Sequence, residues 1–244
     1  MHPSHLQYLP IPWPLYALLF IVLGVLSVFI QIGIIRYVYA RLGISPATAV
    51  FLLLASLLGS YVNIPIAHFA GETIVVGERV DFFGMEYILP EEVDWPGTIV
   101  AINLGGAVIP ILLSLYLLAR NRIWLPGIIA TAAVSVVCFM LARPVQGAGI
   151  TIPIFIPPVA ACAISCLLAW NQAAAVAYVS GSLGTLIGAD LMNLGNIQRL
   201  GTPVASIGGA GTFDGIFVTG IFAVVLASIV GALSPGNAAR DTAA

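Results

Sequence analysis

Charge is what this sequence lacks. Only 7% of its 244 residues are Asp, Glu, Lys or Arg, there is no lysine, and all eight basic residues are arginine. With a net charge of -2 and no basic stripe, the chain carries none of the positive surface that neutralises phosphate backbones, which excludes a nucleic-acid partner. Histidine and cysteine are equally sparse, at three each. His2 and His5 precede the first apolar run and His68 stands beside an acidic segment, so no histidine cluster points to a metal. Cys138, Cys162 and Cys166 all fall inside apolar runs, where a free thiol packs as a small hydrophobe. Cys162 and Cys166 share a helix face at a spacing compatible with a metal, but no histidine lies near them in sequence and core packing is their expected role. No metal site is expected, and no cofactor is specified.

What fills the chain instead is apolar. Sixty per cent hydrophobic residues and a mean hydropathy of +1.09 lie far outside the range of a soluble domain and imply an integral membrane protein surrounded by lipid. Seven windows approach the roughly 20 helical residues that a bilayer core demands: Leu15–Ile35, Ala47–Ile66, Gly97–Leu118, Ile123–Ala142, Gly149–Ala169, Ala173–Asp190 and Asp214–Leu233. Trp13, Trp95, Trp124 and Trp170 fall at the ends of these windows, where amphipathic rings meet headgroups. The fold class expected is all-α: one domain, residues 1–244, forming a polytopic bundle of about seven transmembrane helices. Residues 71–96 carry seven of the ten acidic residues, and alternation around Val75–Val80 and Phe82–Ile88 predicts a small extramembrane β-hairpin or flap there. With the N-terminus outside, Arg36, Arg41, Arg120, Arg122 and Arg240 are cytoplasmic against Arg79, Arg143 and Arg199 outside, so a cell-membrane location with flap and N-terminus extracytoplasmic is expected.

The helices are interrupted on one side. GSYVNIPIAH (59–68), AINLGGAVIP (101–110), RPVQGAGITIPIFIPP (143–158), GSLGTLIGADLMNLG (181–195) and SIGGAGTFDG (206–215) all lie toward the flap in a seven-helix topology, while the opposite ends have simple turns at Ala119–Arg122 and Trp170–Gln172. Unpaired backbone is tolerated in a bilayer only where protein or a watery cavity satisfies it. A one-sided polar cavity follows, with Asn63, Asn103, Arg143, Gln146, Asp190, Asn193 and Asp214 as its expected lining. Asn63 and Asn103 have an alternative role as interhelical hydrogen-bonding amides, and Arg143 as a snorkelling cation.

Asp190 and Asp214 are the only carboxylates outside the flap and the C-terminal segment, and they flank a glycine-rich loop at about 191–213. Antiparallel consecutive helices bring the end of the sixth window and the start of the seventh to one depth. Asp214 has an ordinary role at a helix N-terminus, where a carboxylate accepts orphan N–H bonds. Asp190 at a helix C-terminus would face the negative dipole end, and an ionisable group placed so expensively reads as functional.

The blocks GSYVNIPI (59–66), INLGGAVIP (102–110), GITIPIFIPPVAA (149–161), GADLMNLG (188–195) and SIGGAGTFDGIF (206–217) together resemble the archaeal and bacterial membrane-protein family known as domain of unknown function (DUF) 1614. That resemblance implies a fold and a prokaryotic membrane location, and no activity. Paired aspartates on neighbouring helices beside glycines also resemble the intramembrane aspartyl proteases, although Gly188-Ala189-Asp190 and Gly211-Thr212-Phe213-Asp214 depart from the Gly-x-Gly-Asp motif of those enzymes. Three functions stay open: a hydrolase using Asp190 and Asp214 on a membrane-embedded or small-molecule substrate; a cation- or proton-coupled transporter or ion-binding protein; and a structural or assembly protein.

Overall fold

The structure, a computed structural model, describes residues 32–70, 73–82, 85–94, 96–145, 149–200, 202–209 and 215–232. Helix α1 (residues 32–41) leads through a turn into α2 (Pro46–Gly59). Ser45 caps α2 by accepting the Thr48 N–H at 3.2 Å, and Pro46 follows in the first turn, where its missing N–H is no loss. Then come four strands, β1 (Asn63–Ala70), β2 (Thr73–Phe82), β3 (Met85–Asp94) and β4 (Gly97–Asn103). A π-helical turn at Leu104–Val108 opens α3 (Ile109–Asn121), which is followed by α4 (Trp124–Leu141). The short strands β5 (Arg143–Val145) and β6 (Gly149–Thr151) precede α5 (Ile156–Leu168) and α6 (Ala173–Thr185). From α6 the chain stays helical through a π-turn (Leu186–Asp190) and a 3-10 segment (Leu191–Leu200), then forms β7 (Val204–Ile207) and α7 (Gly215–Ala232).

By length and composition, three helical runs suffice to cross a membrane: Leu104–Asn121, Trp124–Leu141 and Trp170–Asn196. Ala47–Gly59, Ile156–Leu168 and Ile216–Ala232 are apolar but shorter. At the centre stands α6, packed against α3, α4, α5 and α7, with eleven of its thirteen residues buried. Its sequence AAAVAYVSGSLGT explains why it is the hub. In lipid, helices gain little from hiding apolar surface and associate where small side chains let backbones close up. Gly184 is an instance: a Cβ there would stand 2.7 Å from the Val134 side chain of α4.

The two ends of this bundle differ. At one end are tight turns: Arg120 Nη2 lies 4.0 Å from where a Cβ on Gly43 would stand, and Gln172 Nε2 donates to the Asn121 carbonyl at 3.4 Å. Exposed Trp124 and Trp170 begin helices at this same end, while Trp13 and Trp95 lie outside the described residues. The other end holds a three-stranded sheet in the order β1-β4-β7, with β1 antiparallel and β7 parallel to β4. Val100, Ala107, Leu186, Ile207 and Ile216 form the apolar core between this sheet and the helices. All the interruptions read from the sequence therefore gather at one end.

What interrupts the helices differs from the expectation. The expected second span, Ala47–Ile66, ends as helix at Gly59 and becomes β1; the third, Gly97–Leu118, begins as β4; the fifth, Gly149–Ala169, begins as β6. Continuous apolar runs fit a strand as well as a helix, and β-branched residues in NIPIAHFA and GTIVAIN favour the strand. Pro65, a poor strand residue, sits on the edge strand beside a bulge between Pro65 and Ala67, where its missing donor is tolerated. The segment 191–213, expected as a loop, contains a 3-10 helix and β7. The helix does not stop at Asp190 but runs on through Leu200. Most of the expected first span lies outside the described residues.

The acidic segment is a hairpin, as its alternation indicates: β2 and β3 pair antiparallel from Thr73 opposite Asp94 to Phe82 opposite Met85. Ala70 faces Gly97 at the end of the β1–β4 ladder, and Thr73 faces Asp94 at the start of the β2–β3 ladder.

Candidate functional site

The Asn63–Asn103 end of the β1–β4 ladder is pinned by amides. Asn103, only 1% exposed, uses both amide protons: Nδ2 donates to the Ser60 carbonyl at 2.7 Å and to Asn63 Oδ1 at 3.0 Å. Its Oδ1 accepts the Gly106 N–H at 2.8 Å, which caps the π-turn. One side chain therefore ties the end of α2, the start of β1 and the turn into α3. Close approach completes the joint, since a Cβ on Gly105 would run into the Ser56 carbonyl, and Ser56 Oγ donates to the Gly105 carbonyl at 2.7 Å.

From Asn63 the polar contacts continue into β7. Ser206 Oγ lies 2.6 Å from Asn63 Oδ1 and 2.8 Å from the Gly209 carbonyl, so its single proton is shared between two acceptors. Gly208, at φ +88, then aims its N–H at Asp190 Oδ2, 2.8 Å away. Glycine is required at 208 twice over: the left-handed backbone disfavours a side chain, and a Cβ would stand 2.6 Å from the Ala107 nitrogen. Asp190 is half-buried and ends a π-turn. Asn193 holds the carbonyls freed by that turn, with Nδ2 3.1 Å from Gly188 O and 3.0 Å from Ala189 O, and takes Asn196 Nδ2 on its own oxygen at 3.1 Å.

Asn63, Asn103, Asp190 and Asn193 are thus all at the sheet end of the bundle. Asn103 and Asn193 are buried in backbone contacts, whereas Asn63 is exposed. Arg143, exposed on β5, shares this end because β5 packs on the 3-10 segment, and its carbonyl accepts Thr151 Oγ1 at 3.2 Å. No bond from the Arg143 side chain to Asp190 is seen among the described residues. Gln146 and Asp214 lie outside the described residues. Gly208 donates its N–H to Asp190, and Ile216 of α7 shares an apolar cluster with Leu186.

Ser206 and the Gly208 N–H escaped the sequence reading. The signal for the first was a lone serine two residues before a glycine pair, which has no chemical meaning until the strand is paired. Both π-turns, Leu104–Val108 and Leu186–Asp190, fall in this region, and such turns recur at functional sites. No group of three or more His, Cys, Asp or Glu residues suited to a metal occurs among the described residues.

The four blocks that meet here, around residues 59–63, 103–108, 188–190 and 206–209, fall within one match. Residues 57–226 fit the family model described as Protein of unknown function (DUF1614). The chain belongs to this family. No curated protein and no solved structure matches it. The DUF1614 match covers the sheet, both π-turns and every described candidate residue, so the whole polar end of the bundle lies inside the matched region. The family's description carries no activity.

Proposed function

We propose that this DUF1614 protein is a multi-pass membrane protein of the cell membrane whose polar end is an aspartyl hydrolase site, with Asp190 and Asp214 as the reacting carboxylates. The observation that carries this reading is the Gly208 N–H bond to Asp190, which ties the segment leading to Asp214 to the first carboxylate. The Gly208 N–H fixes one oxygen of the Asp190 carboxylate, and the proposal gives Asp190 the role of base. A second carboxylate close by would keep its proton, because two such charges in contact do not both ionise.

The chemistry then balances in a simple way. Ionised Asp190 takes a proton from water as the water oxygen bonds to the carbonyl carbon of a peptide bond, and protonated Asp214 gives its proton to the carbonyl oxygen. Collapse of the tetrahedral intermediate breaks the C–N bond; the nitrogen leaves with the proton held by Asp190, and Asp214 recovers its own. Exposed Asn63, two hydrogen bonds from Asp190 by way of Ser206 and the β7 backbone, supports this reading as a polar lip on which a substrate amide can dock.

The test is a thermal melt of purified protein with a peptide carrying a secondary alcohol in place of the scissile amide, a mimic of the tetrahedral intermediate. Stabilisation of the wild type that disappears in both Asp190→Asn and Asp214→Asn supports the dyad. Stabilisation by sodium or calcium instead, lost in the same variants, replaces the hydrolase by an ion-binding site. No response to any of these in the wild type leaves a structural role for the aspartates.

A further inference from the structure

A second feature runs along the bundle, with its polar mouth at the end opposite the sheet. Helices α2 and α3 barely touch, and between them runs a cavity of about 1090 Å³. It reaches from the turn before α2, at Ser45, to Gly59 at the helix end, on the order of 20 Å at 1.5 Å per residue. Its walls are apolar, with Phe51 and Leu58 from α2 facing Leu112 and Leu113 from α3. Polarity is confined to one mouth, where Ser45, Thr48 and Arg120 stand.

Arg120 is held in place. Its guanidinium lies 5.6 Å from the Tyr116 ring centroid and donates to the Tyr116 hydroxyl. The same arrangement recurs on α1, where Arg41 lies 5.2 Å from the Tyr37 ring centroid and its Nε donates to the Tyr37 hydroxyl at 3.1 Å. Both arginines close the C-terminal turns of their helices, beside the α1–α2 turn that Arg120 faces. Among the described residues, the segments at this end hold Arg36, Arg41, Arg120 and Arg122 and no carboxylate. Stacking on tyrosine leaves several guanidinium N–H groups for an anion, and no ion pair to these arginines is seen among the described residues.

From a long apolar groove with a fixed cation at a single mouth, we infer that the α2–α3 groove binds an anionic phospholipid, its phosphate on Arg120 and an acyl chain between Phe51 and Leu112. Basic pockets between membrane helices take acidic headgroups, and anionic lipids concentrate on the cytoplasmic leaflet, the side to which the arginine distribution assigns this end. The inference rests on the membrane location proposed above and is independent of the hydrolytic chemistry.

Native mass spectrometry of the full chain, released from micelles containing equal phosphatidylglycerol and phosphatidylcholine, tests it. Wild type is expected to retain phosphatidylglycerol preferentially. Arg120→Gln is expected to lower that preference about fivefold, the effect of one basic residue near a lipid surface. Leu112→Trp, at a position exposed enough to accept the ring, is expected to displace both lipids. Equal retention of the two lipids by wild type overturns the inference, as does preference untouched by Arg120→Gln and Leu112→Trp. A dimer that dissociates on Leu112→Trp assigns the groove to a second copy instead. Recovery of the chain in the soluble fraction of cells would refute the membrane location itself, a result distinct from all of these.

Discussion

Replacing Asn103 by alanine removes three hydrogen bonds from the joint on which the polar end is built. The Gly106 N–H loses its acceptor, the Ser60 carbonyl and Asn63 lose a donor, and all of this happens at a position 1% exposed, where water does not replace what is lost. A buried polar group left without its partner costs about 1–3 kcal/mol, so the loss of the Gly106 and Ser60 partners together amounts to roughly 2–6 kcal/mol. Asn103→Asp is the sharper variant. It keeps the acceptor for Gly106 but sets a carboxylate oxygen against the Ser60 carbonyl and Asn63 Oδ1, two acceptors, and is expected to be at least as destabilising as alanine. Equilibrium unfolding in mixed micelles with a denaturing surfactant measures both. A loss below about 0.5 kcal/mol in each variant, the range of an ordinary surface change, would refute the joint. Loss of ligand response with full stability would make Asn103 a binding residue rather than a structural one.

Three further outcomes follow from particular residues. Gly208→Ala is expected to lose roughly 2 kcal/mol or more in the same unfolding assay, from the left-handed φ of +88 and the approach of Ala107, whereas Gly195→Ala, with nothing within 4 Å of its added methyl, stays near wild type. Ser206→Ala is expected to cost about 1 kcal/mol, the worth of one shared hydrogen bond, and no measurable loss would mean that the Ser206–Asn63 contact contributes nothing to the joint. A cysteine introduced at Gly84, with native cysteines replaced, is expected to react with an impermeant thiol reagent from outside intact cells; labelling only after lysis reverses the orientation.

The one-sided gathering of polar breaks was legible in the sequence because glycine, proline and asparagine report backbone irregularity whatever form it takes. The acidic hairpin was legible from its alternation. The sheet was not: β1 and β4 are hidden in apolar windows whose average hydropathy says nothing of period, and a parallel partner such as β7, some hundred residues from β4, has no local signature. Asn103 and Asn193 stand out in the sequence as polar residues, but their bonds to backbone partners depend on turns of π geometry, which a hydropathy reading does not see. Asp190 stood out because a carboxylate is rare here; its partner, the Gly208 N–H, is main chain and has no letter in the sequence.

The most direct test is the separation of the Asp190 and Asp214 carboxylates in an experimentally determined structure. Oxygens of the two groups within hydrogen-bonding distance, with Asp190 still accepting the Gly208 N–H, is the result expected of a proton-sharing pair. A separation beyond about 6 Å, with the Asp214 carboxylate turned onto the first turn of α7 as a cap, would contradict the hydrolytic site.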